Sequence, residues 1–446
     1  MISMREPTLS VGLIKSASVN LELYGDFRIR SVTHNFSGKY SAYWESGKIT
    51  LTGVDYSQSF DGLILEPRDP SSETFLLKDV TIGINFHWQR QKNFRFHGAL
   101  KLIVQERDIL GINLVPLEQY LTSVISSEMS ASSPIELLKA HAIISRSWVI
   151  AQLKARKQKK EKSSTEIITD DEIIRWYDRN DHELYEFCSD DHCQRYQGIT
   201  KKYNDRAFSA VEDTRGVAIV YNNDICDTRY SKCCGGISES FENVWEDKPK
   251  KYLSSIIDYK FEPENLDTDL TQEHAAVKWI KGNPSAFCNT KDEKILSQIL
   301  VDYDRETLNF YRWKVQYSQE ELAKLIHKKS GIDFGKIIEL IPIRRGYSGR
   351  IIKLKIVGSN KELIIGKELE IRRVLSETHL YSSAFYVETK DLNEGIPGTF
   401  ILHGAGWGHG VGLCQIGAAV MGEKGYMFDE ILLHYFKGAR IERIYK

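Results

Sequence analysis

The chain has 446 residues, enough for two or three domains, and its 41% apolar and 27% charged residues suit a folded protein, not a disordered or fibrous one. Its 60 basic and 61 acidic residues leave a formal charge of -1, which excludes a global field drawing it to nucleic acid or an anionic membrane. No apolar run reaches the ~18 residues of a membrane-spanning helix.

The opening MISMREPTLS lacks the apolar core of a signal peptide, so the expectation is a cytosolic protein or a chain whose export signal has been removed. Residues 1–105 alternate in the strand period, in VNLELYG (19–25), GKITLTG (47–53), VTIGINFHW (80–88) and ALKLIVQ (99–105), and predict a β-rich meander or small sandwich. The texture then changes. Pro116 suits a first helical position, and Leu117, Tyr120, Leu121, Val124 and Ile125 follow at helical spacing, with Glu128 continuing that face.

A second helix is predicted from Ser133 as N-cap, Pro134 at N1 and Glu136 at N3, with a basic end from Lys154 to Lys160 that the helix dipole favours. RGVAIVYNNDI (215–225) reads as a hairpin around Asn222 and Asn223. Residues 259–345 read as an inserted, lid-like segment with a capping box at Ser318 and Glu321. GRIIKLKIVGSNKELIIG (349–366) reads as another hairpin, and TFILHG (399–404) as a strand feeding a glycine-rich loop and then a helix from Cys414 to Glu423.

That loop, HGAGWGHGVGLCQIGAA (403–419), has neither nucleotide fingerprint. Every G-x-G-x-x-G start fails on His409, Val411, Leu413 or Gln415, and after Gly412 and Gly417 a phosphate loop would need Lys where Ala418 stands. His403 and His409 lack a third metal ligand nearby. What remains is close backbone approach to a ligand, with Trp407 offering a flat face to a sugar.

Several blocks in order resemble the stage II sporulation protein D and LytB family, the SpoIID-like peptidoglycan enzymes and amidase enhancers. VPLEQYLTSVISSEMSASSPIELLKAHAIISRSW is similar to the family's first block, DDHCQRYQG (190–198) to its His-Cys-Gln-x-Tyr-x-Gly block, and TRGVAIVY, CCGGISES and VWED to the next. GAGWGHGVGLCQIGA with ILLHYFKGARI resembles its C-terminal signature. The likeness spans roughly residues 95–446. His141 and Cys414 depart from it, standing where the family usually has Gln and Ser.

The resemblance implies an α+β fold: a mixed, β-rich SpoIID-like catalytic core with a few helices in two parts, 106–258 and 346–446, flanked by the N-terminal strands and the 259–345 insertion. It implies a lytic transglycosylase acting on peptidoglycan glycan strands already stripped of stem peptides, with Glu128 as catalytic acid. The alternative is an amidase enhancer that binds the same glycan and stimulates a cell-wall amidase without cutting. Either places the protein in the cell envelope, periplasmic or extracellular.

The chemistry of a single Glu stands on its own. Glycosidic hydrolysis usually takes two carboxylates. A lytic transglycosylase needs one, because the muramic 6-hydroxyl attacks the sugar's own anomeric carbon, and one Glu can give a proton to the leaving oxygen and take one from that hydroxyl. At the end of an apolar helix face, low dielectric and the negative helix terminus both favour the protonated acid.

Lys139 and Arg146 on the second helix are candidates for holding sugar hydroxyls or a lactyl carboxylate, against the plainer role of ordinary helix charges. Gln194, Tyr196, Trp407, His409 and Gln415 are candidates for the sugar itself, against structural roles. His182, Cys188, His192 and Cys193 supply four nitrogen and sulfur ligands within twelve residues, suited to a closed structural zinc site. A Cys188–Cys193 disulfide or unpaired thiols are the other readings.

Overall fold

The computed structural model describes residues 4–83, 89–130, 132–158, 166–176, 182–190, 192–199, 205–264, 267–299 and 307–446. The chain is a β-rich α+β protein. It divides into two compact units, one of residues 1–149, 179–218 and 442–446, the other of 150–178 and 219–441. Both are assembled from pieces distant in sequence, so neither follows the consecutive segments read from the sequence.

The first unit begins with ten strands: β1 (Thr8–Ser16), β2 (Ser18–Arg28), β3 (Phe36–Glu45), β4 (Lys48–Thr52), β5 (Ser57–Phe60), β6 (Gly62–Pro67), β7 (Thr74–Ile82), β8 (Arg90–Phe96), β9 (Ala99–Gln105) and β10 (Asp108–Pro116). They form a connected sheet in the order β1-β10-β9-β6-β2-β3-β4-β5, with β7 bridging β2 and β8. Alternation sets the inner face: in β2, Val19, Leu21 and Leu23 are buried. The expected strand at 80–88 is β7 only as far as Ile82, and residues 84–88 lie outside the described residues. A boundary near 105 would cut this sheet, because β10 pairs with β1 from Thr8↔Pro116 to Ser16↔Ile109.

β10 runs directly into α1 (Leu117–Glu128), followed by α2 (Ile135–Lys157). Pro116 is the N-cap and not the first helical residue: its ψ of 145° keeps it extended, while the Leu117 N–H is taken by the Pro7 carbonyl. The α1 face of Leu117, Tyr120, Leu121, Val124 and Ile125 is fully buried, as its spacing predicts. Burying each such aliphatic side chain contributes about 1.5–3 kcal/mol, which holds the helix and its terminal Glu128 in place. In the basic end of α2, residues 159 and 160 lie outside the described residues. A further helix, α3 (Asp205–Asp213), buries Ala207, Ala210 and Val211.

The second unit has a five-stranded sheet in the order Glu166–Ile168, Glu172–Arg175, Glu362–Gly366, Ile351–Gly358, Ile337–Arg345. A three-stranded sheet places Ile396–Ala405 between Arg312–Ser318 and Phe385–Asn393. A core of Trp313, Leu322, Ile326, Phe334, Leu354, Ile356, Phe400 and Leu402 joins them. Residues 259–345 are therefore woven into this unit: Arg312–Ser318 pairs along its length with Ala405–Thr399, and Ile337–Arg345 with Gly358–Ile351. The Ser318–Glu321 capping box and the αL glycine at 331 bound the helix Gln319–Ser330. The hairpin of Val217–Tyr221 and Asp224–Ile225 turns on Asn222 (φ 49°) and Asn223 (φ 62°), the left-handed pair that a two-residue turn requires.

Candidate active site and metal centre

In the first unit, residues 194–198 lie antiparallel to the polar side of α1. The Ser123 hydroxyl donates to the Gly198 carbonyl at 2.9 Å, the Gln197 N–H to Ser127 Oγ at 3.3 Å, and the Arg195 N–H to Glu128 Oε1 at 3.2 Å. Glu128 is thus buried at the C-terminal end of α1 with one carboxylate oxygen fixed by backbone. Tyr196 stacks on Tyr120 with ring centroids 4.9 Å apart, and its hydroxyl donates to Asn113 at 2.6 Å. Gly198 needs to be glycine: φ is +63°, and a Cβ there would sit 2.0 Å from the Arg95 carbonyl.

Gln194 is 1% exposed and accepts from the Tyr120 hydroxyl at 3.3 Å, while its Nε2 has no protein partner. A buried amide donor without a partner is costly, and a bound hydroxyl would satisfy it. Tyr196, by contrast, is already committed to Asn113.

The same segment begins in a cluster of four donors. His182, Cys188, His192 and Cys193 each bring a ligand atom to within 4.8 Å of the others. Cys193 Sγ lies 3.5 Å from both His182 Nε2 and His192 Nδ1, and Cys188 Sγ lies 3.9 Å from His192 Nδ1. Hydrogen bonding with Cys193 outweighs burial and, with His182 and His192, holds the Cys188 thiol well below its ordinary range. Two imidazoles and two thiols, one ready as thiolate, fit a closed tetrahedral site. The loop is fastened to β1: a two-residue strand, Phe187–Cys188, pairs in parallel with Val11 and Gly12, and the Glu186 and Ser189 N–H groups donate to the Ser10 and Gly12 carbonyls. Tyr185 covers Gly12 so closely that a Cβ there would meet its ring at 2.6 Å.

Arg146 is fully buried, and its guanidinium is used within the protein. Nε and Nη2 grip the Glu118 carboxylate at 2.9 and 2.6 Å, and Nη1 donates to the Val217 carbonyl at 3.0 Å. The Tyr445 hydroxyl and the Gly216 N–H complete Glu118 at 2.5 and 3.2 Å. Lys139 pairs with Glu136 at 3.4 Å and Asp213 at 3.2 Å. His141 is buried, its Nδ1 3.3 Å from the Ser145 hydroxyl one turn along α2.

The glycine-rich loop belongs to the second unit. Gly406, Gly408, Gly410 and Gly412 all have φ between 74° and 91°, so alternate residues are left-handed. The packing explains the glycines: a Cβ at Gly410 would lie 2.5 Å from the Arg350 guanidinium, and one at Gly412 would lie 2.1 Å from the Arg229 carbonyl. Arg350 is buried and donates to the carbonyls of Gly408 (3.0 Å) and Cys234 (3.1 Å), tying the loop to the CCGG turn.

Trp407 exchanges backbone hydrogen bonds with Cys233 at 2.8 and 3.0 Å and packs on Phe310 and Tyr381 with centroids at 4.6 and 4.4 Å. His409 Nδ1 accepts from the Val411 N–H at 3.0 Å, and Gln415 opens the helix Gln415–Glu423, buried. Only Trp407 and His409 of these three are partly open to solvent. A cavity of about 530 Å³ in the same unit is lined by Tyr259, Phe261, Phe287, Tyr426 and His434 and contains none of the residues expected from the sequence.

Sequence reasoning missed two buried charges that shape this loop. Arg350 is one. Glu239 is the other: its carboxylate accepts from the Ser240 and Ser348 N–H groups at 2.9 and 3.2 Å and from Asn243 at 2.7 Å, while its own N–H donates to Gly410. A lone Glu between serines and a lone Arg before a strand carry no periodic signal that marks them.

The family of stage II sporulation protein matches residues 105–221, which hold α1, the four-donor cluster and α2, and a domain of unknown function matches residues 239–412. The chain is 24% identical to stage II sporulation protein D of Bacillus subtilis (strain 168) over 332 residues, 74% of this chain and 76% of that protein. Stage II sporulation protein D of Bacillus amyloliquefaciens is 22% identical over 74% of this chain and 75% of its own length. The amidase enhancer of Bacillus subtilis (strain 168) is 23% identical over 72% of this chain and 40% of its own length. The chain thus carries, over residues 105–221, a domain of the stage II sporulation protein family, and it resembles stage II sporulation protein D and the amidase enhancer along most of its own length.

Proposed function

We propose that the protein is a lytic transglycosylase that cleaves the bond between N-acetylmuramic acid and N-acetylglucosamine in peptidoglycan glycan strands stripped of stem peptides. The observation that carries the reading is Glu128, a buried carboxyl at a helix end whose one oxygen is held by the Arg195 N–H within the family's first two motifs. As an acid it gives its proton to the glycosidic oxygen while the bond from that oxygen to the muramic anomeric carbon breaks. The muramic 6-hydroxyl then bonds to that carbon and passes its proton to the Glu128 carboxylate. The products are a free sugar 4-hydroxyl and a 1,6-anhydro end; no water is consumed and Glu128 returns as the acid.

His182, Cys188, His192 and Cys193 would hold a structural zinc ion, which when bound supplies cross-linking of a loop and no reaction step, since protein fills all four positions. Its effect reaches Glu128 through the chain: Cys193 precedes by two residues the Arg195 N–H that holds the carboxylate. Envelope location, outside the cytoplasm where glycan strands lie, follows from this substrate. Among the described residues no helix is long and apolar enough to cross a membrane.

The likeness to an amidase enhancer supports a second reading, a glycan-binding protein that stimulates a cell-wall amidase. Incubating wild type and Glu128→Gln with purified denuded strands, and weighing the products, separates the two. Anhydro-muramic ends from wild type alone support cleavage. Glycan bound and uncut by both proteins would sink it in favour of the second reading.

A further inference from the structure

The second unit contains a buried group of ligand side chains that the proposed reaction does not use. Cys234 of the CCGG turn, Asp258, Cys288 and Cys414 bring three sulfurs and a carboxylate oxygen to within 4.8 Å of one another, all inside the protein. Cys234 Sγ lies 3.5 Å from Cys288 Sγ and 3.4 Å from Asp258 Oδ2. A tetrahedral zinc ion with legs of ~2.3 Å to sulfur and ~2.0 Å to oxygen sets edges of about 3.8 Å between sulfurs and about 3.5 Å from sulfur to oxygen. The two separations, 3.5 and 3.4 Å, come close to those edges, and the whole group fits within reach of one ion.

We infer that Cys234, Asp258, Cys288 and Cys414 form a structural zinc site that fastens the end of the glycine-rich loop. Three further observations support it. The supporting hydrogen bonds point at the ligands: the Cys234 N–H donates to Cys414 Sγ at 3.3 Å, the Cys288 N–H to Asp258 Oδ2 at 3.1 Å, and the Tyr435 hydroxyl to Asp258 Oδ1 at 2.7 Å. Outer partners of this kind orient metal ligands.

The charge balance also calls for a cation. Asp258 is completely buried, and among the described residues the basic group within ion-pair reach is His434, whose Nε2 stands 3.8 Å away. A buried carboxylate without a close cation is expensive; direct coordination to a divalent ion would offset its charge, the three thiols giving up their protons on binding and the supporting N–H and O–H donors sharing the remaining negative charge. Finally, Gly417 is shaped around this group: a Cβ there would meet the Tyr435 hydroxyl at 2.3 Å and both Asp258 oxygens at 2.7 Å.

The four ligands come from four separate stretches with little regular structure, which is where a metal cross-link adds most. Cys414 lies at the N-cap of the helix Gln415–Glu423, so the ion would clamp the loop's exit to the CCGG turn. This also gives a reason for cysteine at 414, where the family usually has serine. All four positions are filled by protein and buried, so the site is structural.

The test is the zinc content of the purified full chain by plasma mass spectrometry, for wild type, Cys188→Ser/Cys193→Ser and Cys288→Ser. Zinc-edge X-ray absorption is measured on Cys188→Ser/Cys193→Ser. We expect this variant to keep one zinc per chain, ringed by three sulfurs and one oxygen without imidazole, and Cys288→Ser to lose one zinc relative to wild type. The absorption spectrum needs no core substitution in this unit, so the inference stays testable if Cys288→Ser fails to fold.

Loss of all zinc from Cys188→Ser/Cys193→Ser overturns the inference. Imidazole scattering in that variant, or a Cys234–Cys288 disulfide in peptides mapped without reductant, also overturns it. Zinc content equal in wild type and Cys188→Ser/Cys193→Ser, but lower in Cys288→Ser, would keep this site and discard the one in the first unit.

Discussion

Replacing Arg146 with Met separates a structural guanidinium from one that waits for substrate. The change roughly keeps the volume but removes both hydrogen bonds to Glu118 and the bond to the Val217 carbonyl, leaving a carboxylate buried beside Tyr445 and Gly216. Breaking one side of a buried ion pair costs about 3–5 kcal/mol. That is a hundred- to several-thousand-fold rise in the unfolded fraction, at ~1.4 kcal/mol per tenfold.

Acid should narrow the gap between variant and wild type. Burial opposes the charge on Glu118, yet Arg146, Tyr445 and the Gly216 N–H together hold its pKa below 4.5 in the folded chain. A depressed pKa adds stability present above the unfolded value and lost as pH falls through the folded one. Without the guanidinium burial dominates, the neutral acid is favoured, and the variant's penalty is largest near pH 7 and shrinks as acid protonates Glu118.

Guanidinium chloride unfolding at pH 7 and pH 4 measures both points, and Glu118→Leu/Arg146→Met should recover much of the loss as a double-mutant cycle. A loss below about 1 kcal/mol at pH 7 would refute the structural assignment. So would a gap that ignores pH.

Gly198→Ala meets both a left-handed backbone and the Arg95 carbonyl at 2.0 Å, so it should cost more than the ~1–2 kcal/mol of the backbone strain alone and lower glycan turnover. Gly331→Ala, with φ 76° and nothing within 4 Å, is the control that isolates the backbone part in the same denaturation assay. Chelating metal from the wild type should raise proteolysis within 182–198, read by peptide mapping, and reduce cleavage of denuded strands in parallel, because Cys193 and the Arg195 N–H share one short segment. Ser318→Ala removes the cap on the exposed end of Gln319–Ser330 and should cost about 0.5–2 kcal/mol in thermal unfolding, with Ser318→Asp close to wild type.

Much of the candidate site was legible because its signals are local. The α1 face, the Asn222–Asn223 turn and the Ser318 cap each rest on a few adjacent residues whose spacing states the structure. The four donors from His182 to Cys193 sit within one short loop, so their meeting could be anticipated as well. Pro116 was displaced by one position because a proline's fixed φ serves an N-cap and a first helical residue alike.

Arg146 shows where such reading stops. Its position on a helix was predictable, but whether the guanidinium meets substrate or protein depended on Glu118, 28 residues earlier, and on Tyr445 at the other end of the chain. The segment 259–345 reads as an insertion because its helices stand out locally, yet Arg312–Ser318 finds its partner strand nearly ninety residues later. Cys234, Asp258, Cys288 and Cys414 are scattered single residues until the fold collects them.

The sequence by itself determined the helices, turns and hairpins, the Glu128 helix and the first cluster of histidines and cysteines, since these depend on neighbours along the chain. Only the tertiary structure decided which charges are spent on folding, why alternate glycines in the loop admit no side chain, and which distant cysteines meet. Those outcomes depend on atoms brought within a few ångströms by packing, and no spacing along the chain encodes that distance.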